Sequence, residues 1–336
     1  MSEPFPDEVR GIVVGWDASR GARIALDWAA ESALRQGLHL TVRHCLDLYW
    51  SPGLSAVDPT GRYAEAGSAA DVTAQETAGA EPDGEARRSP GGAVLQEGVD
   101  RATAVLGEGR VSGIQVHGTP AGQLVEASRH ADLVVTGSRG RGRLLSGLLG
   151  STSYAVTAHS RCPAIVVRTH TEDGHTPPHP GPGCRVVAGI DGSPHSERSL
   201  ARAADIAART DAPLHVVAVA EAGAVGPRAY SDPRTKGRHD RETRSRANDW
   251  LREAKAILGV TQPALTVEYE VLSGDPGHAL ADLGFDAGLI VVGSRGRGGF
   301  AGLLLGSVSH TVIHEALCAP SWSCTDARPQ TQGVCR

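Results

Sequence analysis

Short apolar runs alternate along the chain with longer segments in which apolar residues recur at helical spacing. An apolar run bounded by turn residues is typical of a strand buried on both faces, as strands are in parallel sheets. The helical segments are long enough to cross back over such a sheet. The pattern therefore predicts an α/β fold with helices on both faces of parallel strands. The runs of the first half lie at residues 11–15, 38–46, 114–117, 133–135 and 162–168.

The second half repeats the same order, and we predict two tandem five-stranded parallel-sheet α/β sandwiches. After its last helical segment, residues 321–328 contain no β-branched run, so the fifth strand of the second sheet is expected to be missing or poorly formed. The predicted domains are residues 1–169 and 185–325, joined by a Pro-, Gly- and His-rich linker at 170–184 and followed by a tail at 326–336. The runs of the second half lie at residues 186–190, 213–219, 265–271 and 289–292.

The two halves differ in length after their second strands. Residues 49–92 of the first half carry several prolines among Ala, Gly and acidic residues, a composition typical of a long mobile insertion. The corresponding stretch of the second half, 221–240, is shorter and is expected to be a loop as well. Helical spacing then resumes at residues 93–106 and 244–258.

A glycine motif follows the fourth apolar run of the first half. Two residues separate Gly137 from Gly140, and after nine more residues comes Gly150, followed directly by Ser151. Glycines at the carboxyl end of a strand let backbone N–H groups approach an anion without a Cβ in the way, and the next helix supplies further donors. The motif therefore predicts a nucleotide phosphate site. Arg139 can pair with phosphate oxygens, or it can be a solvated surface arginine.

The second half carries the same motif at Gly293, Gly296, Gly306 and Ser307, with Arg295 between the first two glycines. Because the chain contains 42 glycines, a single copy could arise by chance. Two copies with identical spacing after equivalent strands favour a phosphate site over a simple turn.

An aspartate follows the first strand of each half, at Asp17 and Asp191. Ligands of open parallel sheets bind beyond the carboxyl ends of the strands, where a carboxylate can accept hydrogen bonds from ribose hydroxyls or an adenine amine. Asp is also a good helix N-cap, so each residue could equally cap the helix that follows.

With these motifs the chain resembles a tandem member of the universal stress protein (UspA) family, over about residues 9–168 and 185–320. The family signature is G-x2-G-x9-G-[S/T], which both halves match. The resemblance implies the adenine-nucleotide α-hydrolase-like fold and ATP, with or without Mg²⁺, bound in each half. By the same resemblance, the two aspartates contact the ribose or adenine, the glycine loops and their serines hold the phosphates, and Cys45 and Val219 line the adenine pockets.

The resemblance implies a stress-response regulator or nucleotide sensor rather than a fast enzyme. No Walker lysine follows either glycine loop, so we expect at most slow ATP hydrolysis and assign no catalytic residue. Two alternatives stay open: a nucleotide-free interaction or scaffold protein with the same fold, and a slow ATPase or relative of the AMP-forming ligases. Residues 15–19 and 189–193 lack the paired glycines of the ligase loop.

Charge and composition restrict the partners. A formal net charge of −5 gives no long-range attraction to nucleic acid or to an anionic membrane, so neither is expected as a partner. The sequence has no apolar run of about 18 residues and no apolar signal near its start, which predicts a soluble cytoplasmic protein. The six cysteines lack metal-ligand spacing, so reduced thiols and no metal site are expected. The resemblance implies that the fifth strand pairs with its equivalent across a two-fold axis, and its open edge favours this, so a homodimer or an internal pseudo-dimer is expected.

Overall fold

The structure, a computed structural model, describes residues 11–46, 91–138, 149–168, 177–221, 233–297, 305–316 and 321–324. Within these ranges the strands are β1 (Ile12–Trp16), β2 (Leu40–Leu46), β3 (Val111–His117), β4 (Leu133–Gly137), β5 (Ala164–Val167), β6 (Arg185–Ile190), β7 (Leu214–Glu221), β8 (Val267–Gly274), β9 (Ala287–Gly293) and β10 (Ser321–Cys324). The helices are α1 (Arg20–Gln36), α2 (Gly92–Leu106), α3 (Pro120–Ala127), α4 (Ser151–His159), α5 (Pro194–Thr210), α6 (Pro233–Thr261), α7 (Pro276–Asp282) and α8 (Ser307–Glu315).

The ten strands form one sheet in the order β3-β2-β1-β4-β5-β10-β9-β6-β7-β8. Within each half every pairing is parallel, and the two halves meet where β5 pairs antiparallel with β10. The strands of the second half therefore run opposite to those of the first. The predicted fold class, two tandem parallel-strand α/β units, is confirmed.

The expected loss of the last strand is wrong. Ser321–Cys324 forms β10, which pairs parallel with β9 and antiparallel with β5. A strand with neighbours on both sides gains its backbone hydrogen bonds from both, so four residues without a β-branched run suffice. Because β10 covers the edge of β5, the chain pairs its own two halves internally. A homodimer stays a prediction.

The start of α6 also differs from the expectation of a loop up to residue 240. The helix begins at Pro233 and is 29 residues long, whereas its counterpart α2 has 15. None of residues 236–246 is buried, so this part of the helix carries no apolar spacing that a sequence pattern could detect. The predicted insertion at 49–92 lies almost entirely outside the described residues.

The core lies on both faces of the sheet. On one face, α1 and α2 of the first half and α5 and α6 of the second share a single continuous apolar cluster. On the other face each half has a separate cluster, beneath α3 and α4 or beneath α7 and α8. A small fourth cluster of Leu149, Val166, Leu305 and Ile313 joins the halves there.

Hydrogen bonds on one face of the sheet and an aromatic stack on the other link the two halves. The guanidinium of the buried Arg168, just after β5, donates to the backbone oxygens of Ile313 (2.7 Å) and His314 at the end of α8. On the opposite face, the imidazole of His179 stacks on the indole of Trp28, with centroids 4.7 Å apart. A cavity of about 60 Å³ opens beside this stack between α1 and α5, and no predicted site residue is among the described residues that line it.

Candidate functional site

The register of the strands brings the predicted site residues into one row at each carboxyl edge. In the first half, Trp16 pairs with His44, so that the next row places Asp17 beside Cys45. The second half repeats this, because Ile190 pairs with Ala218 and Asp191 therefore lies beside Val219. β4 and β9, which end in Gly137 and Gly293, flank β1 and β6 on the other side. Each half thus gathers an aspartate and a glycine turn on neighbouring strands.

Both aspartates bind backbone N–H groups of the turn after the first strand. Asp17 Oδ1 accepts from Ser19 N at 2.9 Å, and Asp191 Oδ1 accepts from Ser193 N at 3.0 Å. The helix caps are the serines, whose hydroxyl oxygens accept from the N–H three residues on. The aspartates are therefore turn residues rather than helix caps, and their carboxylates lie at the edge of the sheet.

The glycine loop of the second half contacts Asp191 directly. Asp191 Oδ2 accepts from Arg297 N at 2.9 Å, and a Cβ added to Gly296 would lie only 2.5 Å from the same oxygen. The carboxylate therefore contacts the backbone of the loop and leaves no room for a side chain at Gly296. Arg139 and Gly140 of the first loop lie outside the described residues.

The helices after both loops start in the same way. Gly150 and Gly306 are the N-cap residues of α4 and α8, in extended conformation, and no side chain of a described residue caps either start. Each glycine donates its N–H back to the serine after the strand, Gly150 to Ser138 O and Gly306 to Ser294 O. The first-turn N–H groups, including those of the exposed Ser151 and Ser307, therefore keep their capacity to bind an acceptor. A phosphate fits such a helix N-terminus in charge and in hydrogen bonding.

Comparison of the sequence with models of protein families matches both halves of the chain. The family model described as "Universal stress protein family" matches residues 8–168 and again residues 184–319. The chain belongs to the universal stress protein family. It is a tandem member, because each half matches the model separately.

Relatives of similar length match almost the whole chain. Universal stress protein Rv2005c of Mycobacterium tuberculosis is 33% identical over 322 residues, which cover 93% of this chain and 96% of that protein. Universal stress protein Rv2623 of the same organism is 32% identical over 309 residues, with 91% and 93% covered. Both names agree with the family assignment.

Solved structures match the fold. A universal stress protein from Archaeoglobus fulgidus superposes with a TM-score of 0.62 at 20% identity, covering 95% of this chain and 100% of that chain. The functionally unknown protein PA1789 from Pseudomonas aeruginosa has a TM-score of 0.56 at 18% identity, covering 95% and 94%. Among the described residues of this universal stress protein, no helix is long and apolar enough to cross a membrane.

In each half of this universal stress protein a tryptophan packs close to the turn that carries the aspartate, but the two halves supply it from different elements. In the first half, Trp16 at the end of β1 points into α2, where its indole Nε1 donates to Val94 O at 2.6 Å and its ring lies against Gly98. In the second half the ring comes from the helix instead, because Trp250 of α6 packs on Gly192. The guanidinium of Arg297 then lies over the Trp250 ring, 5.3 Å from its centroid.

Gly192 is under a double constraint that can be tested. Its φ is +68°, and an added Cβ would lie 2.5 Å from the Trp250 ring. Gly192→Ala should therefore cost about 2 kcal/mol, from the left-handed backbone and the ring contact together. Gly37→Ala is the matched control, because Gly37 has the same φ of +68° with open space around it. Urea unfolding gives the loss of unfolding free energy in each variant, and the difference between the two losses measures the effect of the Trp250 ring. Equal losses would show that the ring does not contact this position.

Cys45 and Val219, the predicted adenine-lining pair, are both largely shielded from solvent. Val219 is 9% exposed, and burial raises the pKa of the Cys45 thiol to about 11, against the opposing effect of Arg43. Cys45 therefore stays a neutral thiol at physiological pH and behaves as a small apolar side chain. A role in lining a pocket suits it better than a role as a nucleophile.

The remaining predictions concern Arg295 and metal binding. Arg295 is exposed on the second loop, and the described residues contain no group of three or more His, Cys, Asp or Glu side chains suited to a metal. Sequence reasoning missed Trp250, because its ring reaches the site only through the packing of α6. No local motif marks it.

Proposed function

We propose that this universal stress protein binds ATP in each half and acts as a nucleotide-dependent stress-response regulator rather than as a fast enzyme. The observation that carries the proposal is the repeated start of α4 and α8. Each begins at an N-cap glycine with no side-chain cap from a described residue and follows a strand next to the one that precedes Asp17 or Asp191. Phosphates bind at such helix starts through backbone N–H groups and the helix dipole.

The other predicted residues have complementary roles in this proposal. Asp17 and Asp191 accept hydrogen bonds from the ribose or adenine, and Cys45 and Val219 contact the base. Gly137 and Gly293 bring the loop backbone close to the phosphates, together with Gly140, Gly150, Gly296 and Gly306. Ser151 and Ser307 donate from the first helical turn, and Arg139 and Arg295 add positive charge near the phosphates. Mg²⁺, if present, would be held by the phosphates rather than by a cluster of side chains.

Equilibrium dialysis with ATP tests the proposal. We expect two equivalents of ATP per chain at saturation and a rise in thermal stability, because a ligand that binds only the native state stabilises it. Absence of both effects at millimolar ATP would refute it. Slow turnover is measured separately by phosphate release. The domain boundaries (1–169 and 185–325), the homodimer and the cytoplasmic location are proposed together with this function and need their own tests.

Asp191→Asn should weaken ATP binding at the second site by about tenfold to a hundredfold, because a hydrogen bond to a charged acceptor contributes about 1.5–3 kcal/mol. Asn retains the side-chain oxygen that accepts from Ser193 N, so the turn persists, whereas its amide nitrogen cannot accept from Arg297 N, and that contact with the glycine loop is lost. Dialysis should then show one tight and one weakened equivalent. Asp275→Asn is the control, since it removes a carboxylate from an exposed helix cap of the same half. If the second site binds ATP with the same affinity in both variants, Asp191 does not contribute to ATP binding.

A nucleotide-free scaffold is the second candidate, and one contact favours it. Asp191 already accepts two backbone N–H groups, so the loop has an internal role without any ligand. In that case Gly296→Ala, whose Cβ would meet Asp191, changes stability alone. If the variant also lowers the affinity for ATP at the second site, the scaffold alternative fails.

A further inference from the structure

The long helix α6 carries a basic face that the nucleotide sites do not explain. Stepping by three and four residues from Arg238 along the helix gives Arg241, then Ser245, Asn248, Arg252 and Lys255, with Arg244 beside them. All of these residues are exposed. We define the basic face as Arg238, Arg241, Arg244, Arg252 and Lys255. It extends over about 25 Å of helix.

Carboxylates border the basic face of the helix, and one of them, Asp249, pairs with a member of the face. The four acidic residues in this part of α6 (Asp240, Glu242, Asp249 and Glu253) project at other angles around the axis. Arg252 pairs with Asp249 at 2.9 Å, and Arg241 Nε donates to its own helix at Gly237 O. Arg238 and Arg244 form no ion pair with a described residue. The face therefore retains most of its positive charge.

The first turns of α6 stand clear of the core. The helix packs through residues from Ala247 onward, with Leu251, Ala254 and Leu258 buried, whereas none of residues 236–246 is buried. Residues 236–246 carry five basic side chains and two carboxylates. Because α6 is about twice as long as its counterpart α2 and buries residues only from Ala247 onward, these turns project beyond the packed part of the helix.

We propose that the basic face of α6 is a binding surface for the phosphate backbone of double-stranded DNA, without sequence specificity. Four of its five cations are arginines, whose planar fork pairs with phosphate oxygens in a bidentate way. A helix about 10–12 Å in diameter fits the B-DNA major groove, which is about 12 Å wide. The deep, narrow major groove of A-form RNA does not admit it.

The composition of the same segment argues against other polyanions. Membrane-surface helices need apolar residues beside the basic ones, and residues 236–246 contain none. Single-stranded nucleic acids are bound through stacking on exposed aromatic rings, and this segment has no Phe, Tyr or Trp. Acidic protein partners are usually anchored by buried aromatic or apolar side chains, which the basic face lacks.

The proposal departs from the expectation drawn from net charge. A net charge of −5 is an average over the whole chain, whereas phosphate contacts depend on the local charge within a Debye length of about 8–10 Å. With the projecting turns positive, the remainder of the chain is more acidic than the average. A duplex is therefore attracted to the helix and repelled by the body, which favours approach by the projecting turns alone.

Fluorescence anisotropy with a labelled duplex of arbitrary sequence tests the proposal on the full chain. If each of the five cations neutralises one phosphate, log Kobs should fall with log salt at a slope of about −4.5 between about 20 and 150 mM salt. The variant Arg238→Gln/Arg241→Gln/Arg244→Gln should bind at least about tenfold more weakly at the low salt concentration, with a slope reduced by about 2.7.

The control variant Arg23→Gln/Arg35→Gln/Arg129→Gln removes the same charge from half-exposed arginines of the first half. It should bind like the wild type, and circular dichroism checks that both variants fold. No binding at low salt overturns the proposal, as does equal weakening in both variants. Stronger binding to single strands, or to vesicles of phosphatidylglycerol and phosphatidylcholine, also overturns the assignment to duplex DNA.

Discussion

Gly137→Ala should destabilise the protein by about 3 kcal/mol or more, because the new methyl group overlaps backbone atoms that cannot turn away. A Cβ at Gly137 would lie 2.5 Å from both the carbonyl carbon and the oxygen of Gly21, in the first turn of α1. That turn packs on β4 and begins directly after the Asp17 loop. The substitution should therefore separate α1 from the end of β4. Urea unfolding followed by circular dichroism measures the loss.

Gly259→Ala is the matched control for this substitution. Gly259 lies in α6 with no described atom within 4 Å of an added Cβ, so the same change should stabilise the protein by about 1 kcal/mol. A Gly137→Ala protein as stable as the wild type would mean that α1 does not approach β4 as closely as described.

His179 should make the protein lose about 3 kcal/mol of stability between pH 6.5 and pH 4. Burial, with a smaller contribution from Arg35, lowers the pKa of its imidazole from 6.5 to about 4. The side chain is only 5% exposed and stacks on Trp28. Glu31, whose carboxylate lies 3.2 Å away, would favour the cation, but it is half exposed and does not offset the burial.

The direction follows from proton uptake. Above pH 6.5 the imidazole is neutral in both the folded and the unfolded chain, and the full stability is present. Between pH 6.5 and pH 4 the imidazole binds a proton in the unfolded chain but not in the folded chain, so the free energy of unfolding falls as the pH falls. A shift of one pKa unit corresponds to about 1.4 kcal/mol, which gives the total above.

His179→Phe separates this effect from the other groups that titrate in the same range. Phenylalanine keeps an aromatic ring on Trp28 and removes the titration. The difference in unfolding free energy between wild type and variant should therefore change by about 3 kcal/mol from pH 6.5 to pH 4. A difference that is constant with pH would show that His179 is not buried in its neutral form.

The fold was predictable where burial alone decides the structure. Apolar runs such as those of β1 and β6 are buried on both faces, so composition and length identify them without knowledge of their partners. β10 and the first turns of α6 depend on something else. β10 exists because β5 and β9 supply hydrogen bonds on both sides, and the first turns of α6 are polar all round. Neither cause leaves a periodic pattern in the sequence.

The candidate site was also predictable only in part. The neighbourhood of Asp191 and Gly293 follows from the strand order, because residues at the carboxyl ends of adjacent parallel strands must lie close together. The ring of Trp250 against Gly192 does not follow from it, since the helix that carries Trp250 is remote in sequence and its rotation is set by core packing. Local motifs identified the strand ends, whereas the packing of Trp250 beside them could be seen only in the tertiary structure.

The antiparallel pairing of β5 with β10 determines how the two candidate sites are oriented relative to each other. Because the direction of the strands reverses where β5 meets β10, the two proposed nucleotide sites lie at opposite edges of the sheet. If both sites bind a nucleotide, the two ligands therefore do not contact each other. A small partner bound at one edge of the sheet would then contact only one proposed site, and a partner that responds to both would have to contact both edges.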